Sequence, residues 1–118
     1  MQICHHPNIV ELYEVMEDTQ NLYLVMEYIE GDTLHRYMKQ NRASIPESEV
    51  REVIHQIAMG LYYLRDYGIV HRDLKPENIM WVAGDKPLVK LLDFGLSTII
   101  SPREKLHNAF GSLAFTAP

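Results

Sequence analysis

One short stretch, His71-Arg72-Asp73-Leu74-Lys75-Pro76-Glu77-Asn78, gathers a carboxylate, an ammonium and an amide within six residues. Transfer of a phosphoryl group asks little covalent chemistry of a protein. It asks for a base that orients a hydroxyl, positive charge beside the phosphoryl oxygens, and oxygen ligands for Mg²⁺. Asp73 has the chemistry for the first, Lys75 for the second and Asn78 for the third. Twenty residues after Asp73 comes Asp93-Phe94-Gly95. Asp93 is a hard oxygen ligand of the kind Mg²⁺ takes. Gly95 lets the chain turn sharply where a side chain would obstruct it.

Elements that could position these groups are legible on either side. Ile9 to Val15 alternates apolar and acidic residues and reads as a strand. Asp18-Thr19-Gln20-Asn21 is a turn, and Leu22 to Met26 reads as a second, more buried strand closing a hairpin. Gly31-Asp32 breaks that pattern, and a short helix is predicted from Thr33 to Gln40. A longer helix starts near Pro46, with Glu47 and Glu49 at the positive end of its dipole. Val50, Val53, Ile54, Ile57, Leu61 and Leu64 form its apolar stripe, and Gly68 supplies a left-handed stop. Ile69-Val70, Ile79 to Val82 and Leu88 to Leu92 are three short apolar runs. The last two flank Gly84-Asp85-Lys86-Pro87, a hairpin turn. From Ser97 onward the chain is polar and irregular and reads as a long functional loop.

The 118 residues are 47% hydrophobic and 23% charged, an ordinary globular composition. A net charge of −5 gives no basic footprint for nucleic acid or anionic membrane lipid. No apolar run approaches the roughly 18 residues that a membrane span needs, and the first residues lack the pattern of a signal peptide. A single cysteine, Cys4, precludes an internal disulfide framework and points to a reducing compartment, the cytoplasm or equally the nucleus. Cys4-His5-His6 lacks a fourth partner and has the wrong geometry for one metal ion. His55, just outside the stripe, reads as a surface or packing residue. Met26, Met38, Met59 and Met80 read as core or pocket fillers.

His71 to Asn78 followed by Asp93-Phe94-Gly95 resembles the catalytic loop and metal-binding motif of eukaryotic Ser/Thr protein kinases. Further resemblances follow in order. His6-Pro7-Asn8-Ile9-Val10 is similar to the link after the small-lobe regulatory helix, and Leu22 to Ile29 to the strand entering the hinge. Gly111-Ser112 and Ala117-Pro118 are similar to the end of the activation segment. The resemblance implies an α+β, protein-kinase-like bilobal fold, incomplete here: residues 1–28 would end the small lobe and 29–118 would begin the large one. It implies Mg²⁺ and ATP as cofactors and a protein with a Ser or Thr acceptor as substrate. Asp73 would be the catalytic base, Lys75 would contact the transferred phosphate, and Asn78 and Asp93 would hold Mg²⁺. Glu27 and Ile29 would present backbone groups to adenine, with Met26 as gatekeeper and Met80 beneath the ring. Leu12, His71 and Phe94 would stack between the lobes. Lys75 and Ser112, the latter bonded to Asp73 and Lys75, favour the Ser/Thr class over the Tyr class. Arg72, Phe94, Gly95 and Ser112 would belong to the regulatory apparatus of the activation segment.

The run Asp93 to Thr98 is similar to calcium- and calmodulin-dependent kinases, which implies a calcium sensor or calmodulin outside this chain as a partner. Other features depart from the family pattern. The six glycines are scattered and form no Gly-rich phosphate loop, and the strand lysine and its helix glutamate would precede Met1. The sequence is therefore expected to be an internal piece of a larger kinase, inactive alone; the competing expectation is a non-catalytic binding module. Leu113 stands where the family has Pro, and Phe115 where it often has Tyr. The usual phosphosite is Asn108, which leaves the partner of Arg72 open. Ser97, Thr98 and Ser101 are substitute positions; Ser101-Pro102 has the form of a proline-directed site, although an unmodified loop serine is the favoured reading.

Overall fold

The computed structural model describes residues 5–101, 105–107 and 110–116. Strands β1 (Leu12–Glu17) and β2 (Leu22–Met26) form an antiparallel hairpin. Asp18 builds the turn: one carboxylate oxygen accepts the N–H groups of Gln20 at 2.7 Å and Asn21 at 2.8 Å. The other accepts the hydroxyl of Tyr23. These bonds, the Gln20 N–H foremost, hold the Asp18 carboxyl below its usual pKa. The first strand starts later than the alternation predicted: Ile9 instead bridges in parallel to Leu91. The second strand is not buried but exposed along its length, because no further layer closes over this two-stranded sheet among the described residues.

A second sheet runs β3 (Gly31–Thr33), β5 (Ile79–Val82), β6 (Val89–Leu91), with antiparallel pairing throughout. Gly31-Asp32, expected to break the chain, begins β3. The pairing needs glycine, since a Cβ on Gly31 would lie 2.0 Å from the carbonyl oxygen of Trp81. Thr33 then caps α1 (Leu34–Gln40), its hydroxyl accepting the Arg36 N–H. The predicted turn at 84–87 joins β5 to β6.

Helix α2 (Glu47–Asp66) starts after Pro46 with acids in its first turn. It stops at Gly68, whose φ is 67°. A Cβ there would also come 2.7 Å from the carbonyl oxygen of Ile100. Beyond Gly68 lies β4 (Ile69–Val70), paired with β7 (Thr98–Ile99). The long loop expected from Ser97 thus opens with a short strand.

The core is Ile9, Leu34, Val53, Leu64, Ile79, Val89 and Leu91, where α2 lies on β6. Val53 and Leu64 are buried and Ile57 and Leu61 pack against them, but Val50 and Ile54 are 46% and 59% exposed. The buried face is turned from the predicted stripe because Gln56 and Gly60 complete it. Gly60 permits close approach: a Cβ there would sit 3.0 Å from Leu91 Cδ1. Gln56 makes four hydrogen bonds. Its oxygen accepts from Asn8 Nδ2 at 3.0 Å and Val89 N at 2.9 Å. Its nitrogen donates to Pro87 O at 2.8 Å and Glu52 Oε1 at 2.9 Å. Met26, Met38 and Met59, expected as fillers, are about half exposed.

Replacing Gln56 by Leu strips partners from buried amide groups on two other segments. Each orphaned group costs about 1–3 kcal/mol, so Gln56→Leu is expected to lower the free energy of unfolding by about 2–4 kcal/mol in denaturant titration. A neutral result would show that water replaces the side chain.

Candidate functional site

The stretch after β4 is held by His71, which is 4% exposed. Its Nε2 bonds the Leu92 carbonyl oxygen at 2.7 Å and its Nδ1 accepts the Asp73 N–H at 3.3 Å. With Nδ1 accepting, the neutral ring carries its proton on Nε2. The imidazole also meets the Phe94 ring, centroids 5.0 Å apart. One side chain thereby ties the loop bearing Asp73 to the segment bearing Asp93. Arg72 turns the chain with φ 65°, and Asp93 does so with φ 53°. Aspartate tolerates the left-handed region; arginine does so at a cost of order 1–3 kcal/mol.

Asp73 is buried and its carboxylate is saturated. Oδ2 is 2.7 Å from Lys75 Nζ and accepts from Asn78 Nδ2 at 2.9 Å. Oδ1 accepts from the Ser112 backbone N–H at 3.1 Å and from Ser112 Oγ at 2.9 Å. Lys75 Nζ also donates to Ser112 Oγ at 2.9 Å. The Lys75 ammonium is the main reason that the Asp73 carboxyl is held down to about 2, and Ser112 and Asn78 reinforce it against desolvation. Reciprocally, Asp73 raises the Lys75 ammonium above its usual value, with further contributions from Glu77 and Asp93.

Asn78 closes a 3₁₀ turn over Pro76–Asn78. Its side-chain nitrogen donates to both the backbone and the carboxylate oxygens of Asp73. Its backbone carbonyl oxygen accepts the Leu92 N–H at 2.8 Å, which sets it opposite the residue before Asp93. One oxygen of Asp93 accepts the Gly95 N–H at 3.1 Å. Asp73, Lys75, Asn78 and Ser112 are thus in direct contact, with Asp93 beside them.

Other positions singled out by sequence fall around this centre. Met26 and Leu12 line a largely apolar cavity of about 490 Å³ together with Asp93, Phe94 and Gly95. Glu27, Ile29 and Met80 are not in its lining. Met80 lies on β5 between Thr33 and Lys90. The Glu27 N–H is bonded to Glu11 O, and its carboxylate pairs with Lys90 at 2.6 Å. That pair was not foreseen, although a lone lysine inside the apolar run Leu88 to Leu92 is a signal that could have marked it. Leu113 is 97% exposed in a turn closed by the Phe115 N–H and Ser112 O. Asn108, Pro102, Ala117, Pro118 and Cys4 lie outside the described residues. His55 is exposed, as expected. The His6 Nδ1 accepts the Asn8 N–H, and burial followed by the Lys90 charge lowers its pKa. Among the described residues no group of three His, Cys, Asp or Glu could hold a metal, and no helix is long and apolar enough to cross a membrane.

The depressed Asp73 pKa links the ion pair to pH. Its contribution to stability is present above the unfolded value of 3.8 and is lost as pH falls through about 2. In an NMR titration the Asp73 carboxyl is expected to titrate near 2, and Lys75→Met is expected to move it upward. A midpoint unmoved by that substitution would show that Lys75 is not the cause.

A family model described as Protein kinase domain matches residues 1–118. The chain is 40% identical to Sperm motility kinase 2B of Mus musculus over 118 residues, the whole of this chain and 24% of that protein. It is 40% identical to Sperm motility kinase 1 of the same organism, again over the whole chain and 24% of the relative. Against the SNF-related serine/threonine-protein kinase of Homo sapiens the identity is 39%, covering the whole chain and 15% of that protein. The chain therefore spans a quarter or less of the length of these relatives.

Proposed function

The chain belongs to the protein kinase domain family, and from that premise we propose that it carries the phosphoryl-transfer centre of an ATP-dependent enzyme acting on Ser or Thr residues of proteins. Residues 1–28 end the small lobe in this reading and residues 29–118 begin the large one. The observation that carries it is the convergence of Lys75, Asn78 and Ser112 on the ionised carboxylate of Asp73. A non-catalytic binding module has no use for a buried carboxylate held so far from neutrality.

With a pKa of about 2, Asp73 is ionised at neutral pH and is a weak base in the resting site. Its first task is to orient the acceptor hydroxyl; it takes the proton only as the hydroxyl oxygen becomes bonded to phosphorus and loses its basicity. All four acceptor positions of the carboxylate are filled, so an incoming hydroxyl replaces one donor. Ser112 Oγ is the one hydroxyl among them, and it already sits between Asp73 and Lys75 as an acceptor hydroxyl would. Lys75 places a cation beside the transferred group.

The donor set fits Mg²⁺. The Asn78 nitrogen is committed to Asp73, which leaves its amide oxygen to face a cation. Asp93 keeps one carboxylate oxygen beyond that bonded to Gly95. Hard oxygens such as these suit Mg²⁺ better than a soft metal. When bound, Mg²⁺-ATP supplies the phosphoryl group and neutralises its charge. The Glu27 N–H is used within the protein, so its carbonyl is the backbone group left for adenine; in this reading the Ile29 N–H would be the second backbone contact, and Met26 and Met80 would flank the base. The resemblance of Asp93 to Thr98 to calcium- and calmodulin-dependent kinases is the sole support for a calcium-sensing partner outside this chain.

In the full-length protein, Asp73→Asn is expected to reduce phosphoryl transfer by about 10²- to 10⁴-fold while leaving nucleotide affinity within about twofold, measured by steady-state kinetics and by calorimetric titration of Mg²⁺-ATP. Unchanged turnover would remove Asp73 from its assigned role.

A further inference from the structure

Arg72 is the residue for which the sequence left no partner. Among the described residues it makes no ion pair. Its guanidinium carbon instead lies 4.3 Å from the centre of the Phe110 ring, and its Nε donates to the Leu96 carbonyl oxygen. A cation this close to a ring face is attracted by the ring's quadrupole. The Arg72 main chain is engaged by the next residue: Gly111 has φ 112°, and a Cβ there would come 2.5 Å from Arg72 O. The residue after that, Ser112, is bonded to Asp73 and Lys75.

Phe110, Gly111 and Ser112 therefore dock in register on Arg72, Asp73 and Lys75. Gly111 provides closeness and Ser112 provides hydrogen bonds, but only Phe110 grips the Arg72 side chain from this segment. Through Leu96 O, the same guanidinium also holds the start of the loop, so one cation joins its two ends. Phe110 is 43% exposed, so its ring is only partly covered.

We infer that Phe110 is a positioning residue: its ring holds Arg72 and thereby seats Gly111 and Ser112 on the catalytic loop, without an anionic group on Arg72. In the kinase reading on which this rests, the ring does for Arg72 what a negatively charged loop residue would otherwise do. Phe110 touches no reacting atom; it acts through Arg72 and Ser112. The segment is then docked without prior modification.

The test uses the full-length protein with Phe110→Trp, Phe110→Leu and Phe110→Ala, casein as acceptor, and the proton shifts of the Arg72 side chain in NMR spectra. Leu and Ala variants are expected to lose about 3- to 10-fold in kcat with KM for ATP unchanged, and Trp to stay within about twofold. The Arg72 Nε–H is expected to show a ring-current shift that Trp keeps and Leu abolishes. Phosphatase treatment of the wild type is expected to leave kcat unchanged. A Leu variant equal to wild type, a Trp variant as impaired as Ala, an Arg72 shift indifferent to Phe110, or loss of activity on phosphatase treatment would each overturn the inference. Transfer that Asp73→Asn lowers as expected but Phe110→Leu leaves intact would remove the ring's role and keep the kinase reading. A wild type without transfer, but with an Arg72 shift that depends on Phe110, would keep the docking and remove the kinase reading.

Discussion

The carboxylate of Asp73 is the point on which the rest of the site depends. It is buried, ionised, and receives donors from the loop that follows it, from the 3₁₀ turn and from a segment 39 residues further along. A buried carboxylate without such partners would take up a proton, because desolvation disfavours its charge. Lys75 tips that balance, and Ser112 and Asn78 add to it. The arrangement is also reciprocal. The same negative charge holds the Lys75 ammonium and the Asn78 amide, so the cation and the amide are ordered by a single group.

Such a cluster needs a rigid support, and the support is strand β6. Val89 and Leu91 are completely buried in it. Helix α2 is fastened to it through Gln56 and approaches it closely at Gly60, while the segment around Asn8 and Val10 pairs with Leu91. Past Leu91 the strand passes Leu92 to His71 and Asn78 and delivers Asp93 beside the Asp73 cluster. Two left-handed residues, Arg72 and Asp93, bring the chains into these positions. Their backbone strain is held by the hydrogen bonds of the surrounding residues, as the pinning of His71 between Asp73 N and Leu92 O illustrates.

The hairpin β1–β2 contrasts with this. Its turn is well made, yet its faces are exposed from Tyr13 to Met26. Local chemistry accounts for the turn completely, since the Asp18 carboxylate satisfies donors within a few residues. Burial of the strand faces is a different matter, because it needs a second layer.

What the sequence by itself determined is what depends on neighbours along the chain. Both helices, the two hairpins, the glycine stop after α2 and the donor set Asp73, Lys75, Asn78 and Asp93 are read from spacing and residue chemistry, which act over a few residues. Tertiary structure decided which donors meet. Ser112 reaches Asp73, Asn8 reaches Gln56, and Lys90 reaches Glu27 across separations of 39, 48 and 63 residues. It also decided which face of α2 is buried. Gln56 and Gly60 carry no apolar signal, and they lie inside only because one satisfies the ends of other segments and the other lets Leu91 come close. An apolar pattern records hydrophobicity alone; burial of a polar or absent side chain depends on partners that only the folded chain supplies.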